Sequence, residues 1–137
     1  MRKAGGGTIV NISSMLALGG PPDLATYSAS KAALNTLTKA VANTVKRDGV
    51  RVYAINLGWA HTEGEDRVQM GHYGKAAEWA KEIGQRTPAG RLIAPADVAG
   101  VVAFLVSPPA RMMNGTIIDY EQVPFGTFDA HPALGPE

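Results

Sequence analysis

The chain of 137 residues contains no cysteine, which excludes a disulfide-stapled scaffold and any metal site built on thiolates. That absence suits a reducing compartment, and a cytoplasmic setting is the expectation that follows. Charge of one sign is equally scarce: 13 Lys and Arg stand against 12 Asp and Glu, and no basic cluster breaks the balance. No nucleic-acid partner is expected, because phosphate neutralisation needs a basic patch. Long apolar runs are missing too. The longest, 98–106, carries Gly100 inside it and is far short of the roughly 20 residues needed to cross a bilayer, so no membrane partner is expected either. The amino terminus lacks a secretory core: Gly5, Gly6, Gly7, Asn11, Ser13 and Ser14 interrupt the about 7–15 apolar residues that such a segment requires. There is no internal repeat, low-complexity tract or linker. With 45% hydrophobic and 18% charged residues, the chain has the composition of an ordinary globular domain.

What is present alternates between two periodicities. Residues 8–12 form a β-branched run between glycines and serines, which predicts a buried strand. Gly19-Gly20-Pro21-Pro22 forces a loop, after which Asp23, or Thr26 one turn later, is a candidate N-cap. A helix is predicted over 24–47 with an apolar stripe of Ala33, Leu37, Ala40, Val41 and Val45, closed by Lys46, Arg47 and Gly49. A second strand is predicted over 50–56, ending at Gly58. Residues 62–91 read as polar and irregular, with a short helix around 75–84. A third helix is expected over 95–106, from Pro95 at its first position to the stop before Pro108-Pro109. A third strand follows over 116–119, and from Glu121 the tail, rich in Pro and Gly, is expected to wrap irregularly. Strands alternating with helices imply βαβ crossovers and an α/β unit with about three parallel strands and flanking helices. Three strands make a thin sheet, since parallel sheets are normally covered on both faces.

The chemistry concentrates near the start. Tyr27 and Lys31 lie four apart on the predicted helix and project from one face. A phenol is a poor acid or base at neutral pH, and a nearby ammonium favours its charged form, the condition for useful proton transfer. Ser14 follows the first strand, whose carboxyl end faces the crevice in such a fold. Its hydroxyl is a candidate to hold a carbonyl oxygen beside Tyr27.

These residues resemble the C-terminal, catalytic half of a short-chain dehydrogenase/reductase. The family's signature is a serine followed thirteen residues later by Tyr-x-x-x-Lys, reproduced by Ser14, Tyr27 and Lys31. The flanking blocks agree: Asn11-Ile12-Ser13-Ser14, Tyr27-Ser28-Ala29-Ser30-Lys31-Ala32-Ala33-Leu34 and Gly49-Val50-Arg51-Val52-Tyr53-Ala54-Ile55-Asn56. So do Gly90-Arg91-Leu92, Pro95-Ala96-Asp97-Val98-Ala99, Phe104-Leu105-Val106-Ser107 and Asn114-Gly115-Thr116-Ile117-Ile118-Asp119. The resemblance implies reversible carbonyl reduction or alcohol oxidation with NAD or NADP, and a small-molecule alcohol or carbonyl substrate. Tyr27 would be the acid/base, Lys31 would assist it and hold the nicotinamide ribose, and Ser14 would orient the substrate oxygen. Gly58, Ala60 and Thr62 would join Tyr27 and Lys31 in holding the cofactor. Ser14, Leu16 and Trp59 would meet the substrate. Self-association would run through the Tyr-bearing helix and the C-terminal strand and helix, aided by an exposed sheet edge.

Two departures stand out. Leu57-Gly58 replaces the family's Pro-Gly, and Asp119-Tyr120-Glu121 replaces its Asp-Gly-Gly. No glycine-rich dinucleotide turn is found, because Gly5-Gly6-Gly7 precedes a strand and lacks the spacing. Residues 1–137 are therefore expected to be the C-terminal portion of a single Rossmann-type domain, without its N-terminal cofactor-binding half and inactive alone. The rival expectation is a non-catalytic remnant serving as an assembly or binding module. Ser28-Ala29-Ser30-Lys31 matches an acylating Ser-x-x-Lys, but the companion Ser-Asp-Asn and Lys-Thr-Gly are missing. His61 with Glu63, Glu65 and Asp66 reads as a polar loop more naturally than as a metal site, and His72 and His131 as surface residues. Trp59, Met70, Tyr73 and Trp79 either line a pocket or fill core, with packing favoured for Trp79.

Overall fold

The computed structural model describes residues 1–126; His131 and most of the tail expected to wrap irregularly lie outside them. Three parallel strands, β1 (Gly7–Ile12), β2 (Val50–Leu57) and β3 (Ile117–Tyr120), form one sheet in the order β1-β2-β3. Ile9 pairs with Val52 and Ile12 with Ile55, while Ala54 pairs with Ile117 and Leu57 with Tyr120. Helix α1 (Ala25–Val45) covers one face and α4 (Pro95–Val106) the other. Two short helices, α2 (Glu63–Asp66) and α3 (Trp79–Gly84), lie between β2 and α4. Among the described residues no helix is long and apolar enough to cross a membrane.

Strand alternation explains this layering. Val50 and Val52 of β2 pack with Ala42, Val41 and Val45 of α1, whereas Tyr53 and Ile55 pack with Leu105, Val98, Val101 and Val102 of α4. The Tyr53 hydroxyl is buried with them and reaches the carbonyls of Ala110 (2.9 Å) and Met113 (2.7 Å). Asn114 extends the ladder before β3 begins: its side-chain oxygen accepts from the Val52 amide at 2.9 Å and its nitrogen donates to Ala42. The third strand thus runs from Ile117 to Tyr120, one residue later than predicted. At the other end of the sheet, a Cβ on Gly6 would lie 2.5 Å from the Gly49 carbonyl oxygen, and Gly7 donates to that same oxygen. The glycine run serves a close backbone crossing.

Several expectations need correction. Neither Asp23 nor Thr26 caps α1. A 3-10 turn, Pro22–Leu24, feeds the helix directly and leaves Leu24 at the cap position with no side-chain hydrogen bond. The helix ends at Val45, two residues early, and Lys46 turns back onto Asn43. The apolar stripe also splits: Val41 and Val45 face the sheet, but Ala33, Leu37 and Ala40 are exposed, Leu37 by 56%. The inward face carries Asn35 and Thr38 instead, each given partners by the structure. The short helix begins at Trp79 rather than near Lys75, and the segment before it contains α2 and a π-helical turn, Arg67–His72.

Candidate active site

The site gathers at the carboxyl ends of β1 and β2. Where β1 ends, Ser14 is buried and starts a 3-10 turn, Met15–Leu18, its hydroxyl oxygen accepting from the Leu16 amide at 3.1 Å. The first turns of α1 are pinned to this strand end twice. The Lys31 ammonium donates to the Ile12 carbonyl at 2.9 Å, and the Ser13 hydroxyl donates to the Lys31 carbonyl at 3.3 Å. Lys31 Nζ stands 5.5 Å from the centre of the Tyr27 ring, which is 42% exposed. Tyr27, Lys31 and the strand end that carries Ser14 therefore form one assembly. One of the three ammonium donors is spent on Ile12, leaving two for a ligand.

After β2 the chain makes a single bridge, Ala60 with Ile93. The His61 amide donates to Ile93 and the Ile93 amide to Trp59, at 2.9 and 3.1 Å. In a parallel pair this arrangement uses the groups on either side of Ala60 and turns its own N–H and C=O the other way. Thr62 is committed differently from a free ligand group: its side chain caps α2 by accepting from the Glu65 amide at 3.1 Å. Gly58 is also not open. The Glu121 carboxylate lies where its Cβ would be, accepting from the amides of Trp59 (3.3 Å) and Gln122 (2.6 Å).

Leu16 and Trp59, expected to meet a substrate, line one cavity of about 420 Å³ with Met15, Leu92, Glu121 and Phe125. Beside it, Trp59 and Trp79 stack at 5.8 Å. The Trp59 indole donates to Glu65 at 2.9 Å, and the buried Trp79 donates to Asp66 at 3.0 Å. Asp66 also meets His61 at 2.9 Å, and Lys75 lies over both indoles at 5.3 and 5.8 Å. The residues around His61 thus tie this segment down, and no group of three or more His, Asp or Glu side chains is placed to hold a metal among the described residues. Tyr73 reaches Asp23 at 3.4 Å, joining the segment to the entry of α1.

The sequence reading missed a buried polar chain beneath the site. Asn35, one turn beyond Lys31, donates to Asn56 at 2.8 Å, and Asn56 donates to Asp119 at 2.7 Å. The available signal was polar residues at strand and helix positions that should be apolar. Two charges in an adjoining cleft are also paired: Arg91 grips Asp97 at 2.6 and 2.9 Å, and Asp97 accepts the Ala94 amide at the start of α4. The Arg91 hydrogen bond and the Ala94 amide hold the Asp97 carboxyl down at about 2, while Asp97 raises the guanidinium.

A family model described as enoyl-(acyl carrier protein) reductase matches residues 1–121. The cis-4-hydroxycyclohexanecarboxylate dehydrogenase of Sinomonas cyclohexanicum is 38% identical over 118 residues, 86% of this chain and 45% of that protein. The structure of Gluconobacter frateurii L-sorbose reductase, complexed with NADPH and L-sorbose, superposes with a TM-score of 0.81 at 26% identity, covering 93% of this chain and 51% of the other. A 7α-hydroxysteroid dehydrogenase complexed with NADH and 7-oxo glycochenodeoxycholic acid gives 0.74 at 32% identity, covering 88% and 45%. The chain spans about half the length of the relatives it matches.

Proposed function

The chain belongs to the short-chain dehydrogenase/reductase family, and on that premise we propose that it supplies the catalytic and substrate side of an NAD(P)-dependent oxidoreductase. In this reading residues 1–137 are the C-terminal portion of one Rossmann-type domain. The relatives act on a cyclic hydroxy acid, a sugar and a steroid by their names, so the family leaves the substrate open. The observation that carries the proposal is the double tie of Lys31 to the end of β1, which holds Tyr27 and the Ser14 turn together.

The groups present suit the nicotinamide end of a dinucleotide. Ala60 turns an N–H and a C=O away from its bridge, matching the acceptor and donor of a carboxamide. Lys31 has donors left for ribose hydroxyls, and Gly58 and Thr62 flank the same loop. The nicotinamide, when bound, supplies or accepts the hydride. The chain's own part is proton handling and orientation. Ser14 accepts a backbone amide, which leaves its O–H to donate to a substrate oxygen. Tyr27 passes its phenolic proton to a carbonyl oxygen on reduction and takes the alcohol proton on oxidation.

We propose in addition that the isolated chain is inactive and that it self-associates. The exposed Ala33, Leu37 and Ala40 on the Tyr-bearing helix support that association, as do Phe104 and Val106 on α4. A reducing, cytoplasmic setting is part of the same reading. The test is titration of the 137-residue chain, and of the chain extended by any in-frame upstream segment, with NADH and NADPH, followed by turnover on ketone and alcohol panels. Saturable binding with turnover lost in Tyr27→Phe is the expected result for a competent form. Binding or turnover indifferent to Tyr27→Phe and Lys31→Met refutes the assignment.

A further inference from the structure

The cavity lined by the segments that follow β1, β2 and β3 has an uneven chemistry. Met15, Leu16, Trp59, Leu92, Val123 and Phe125 make most of its wall apolar, and Glu121 is its one charged lining residue among those described. Two backbone amides fix the Glu121 carboxylate: Oε2 accepts from Trp59 and Oε1 from Gln122. It also rests on Gly58, a position where any side chain would displace it. The carboxylate is therefore a built part of the wall, held at the end of β3.

The positive groups nearby lie outside the cavity's lining. Lys75 stacks over Trp59 and Trp79 and does not line the cavity. Arg91 lines a neighbouring cleft of about 200 Å³ and is held by both oxygens of Asp97. A ligand entering the larger cavity thus meets apolar surface and one charged wall residue, the Glu121 carboxylate. Apolar walls lower the local dielectric and lengthen the reach of that charge. An anion is repelled, whereas a ligand cation or hydrogen-bond donor finds an acceptor with lone pairs to spare.

We propose that Glu121 is a specificity-determining residue: the cavity takes compounds with an apolar body and a cationic or hydroxyl-bearing end, and it rejects carboxylates and phosphates of the same size. This rests on the reading of the cavity as the substrate side of the site, and it names the class of substrate. With charges about 5 Å apart in a half-exposed site, Coulomb attraction against repulsion amounts to about tenfold or more in affinity.

The experiment uses two-dimensional ¹H–¹⁵N spectra of the full chain, in which its two tryptophans give two indole signals, assigned with Trp59→Phe. Phenethylammonium, phenethyl alcohol and phenylacetate share one apolar body and differ in charge. The expected result is a Trp59 shift that saturates about tenfold tighter for the ammonium than for phenylacetate, with the alcohol between them. Glu121→Gln, which removes the charge and keeps an acceptor for one of the two amides, should bring the three affinities together. Equal binding of cation and anion, or a preference that survives Glu121→Gln, overturns the charge selection while leaving the cavity as a ligand site. Absence of any Trp59 shift with all three probes overturns both the selection and the substrate-side reading.

Discussion

Replacing Asn56 by leucine tests the buried polar chain that links α1 to the sheet. Asn56 is 1% exposed and sits between Asn35 and Asp119, accepting from the first and donating to the second. Leucine keeps the branching and heavy-atom count of asparagine but is bulkier, so some overpacking adds to the loss of hydrogen bonds. Asp119 is exposed and regains water at little cost. Asn35 is buried, and its side-chain oxygen already has no partner; losing Asn56 orphans its nitrogen as well. A buried polar group stranded in this way costs about 1–3 kcal/mol, so Asn56→Leu should destabilise the chain by about 2–3 kcal/mol. Asn35→Leu removes its own unsatisfied oxygen while stranding only the Asn56 oxygen, and should cost less, about 1 kcal/mol. The double variant replaces both partners with apolar groups and should be no less stable than Asn56→Leu alone. That places the coupling energy near 1 kcal/mol or above. Urea unfolding of the four proteins by circular dichroism supplies the cycle. Single-variant losses that simply add, to within about 0.5 kcal/mol, would refute the reasoning. Because Asn35 lies one turn beyond Lys31, the same spectra can be paired with nucleotide titration to ask whether the helix register also sets the Lys31 position.

Two further outcomes follow from the surface. Asp97 titrates at about 2 rather than its ordinary 3.8, so its contribution is complete above about pH 4 and is lost as pH falls through about 2. Thermal melts should therefore decline across that window, less steeply in Asp97→Asn, and an identical decline in the variant contradicts the assignment. Leu37 is 56% exposed on the outer face of α1, so Leu37→Asp should leave the melting temperature nearly unchanged while lowering the molecular mass measured by light scattering. An unchanged mass removes this face from the proposed self-association.

Much of this molecule was legible locally, because local forces set it. Glycine and proline punctuation marked the loops, Pro95 and Pro108 bracketed α4, and β-branched runs marked all three strands to within a residue or two. The Ser14, Tyr27 and Lys31 spacing carried the family, since a strand end and a helix turn have fixed repeats. The tertiary structure decided what spacing cannot encode, namely which face of a helix meets the sheet and which atoms meet across the fold. It turned Leu37 outward and Asn35 inward, because Asn56 offers a partner that no helical period reveals. It also carried Glu121, 63 positions beyond Gly58, onto that glycine, making a departure in the last strand into a wall of the cavity. Local periodicity and turn chemistry reach only a few residues along the chain, whereas burial, hydrogen-bond satisfaction and the charge of a cavity depend on groups that only folding brings together.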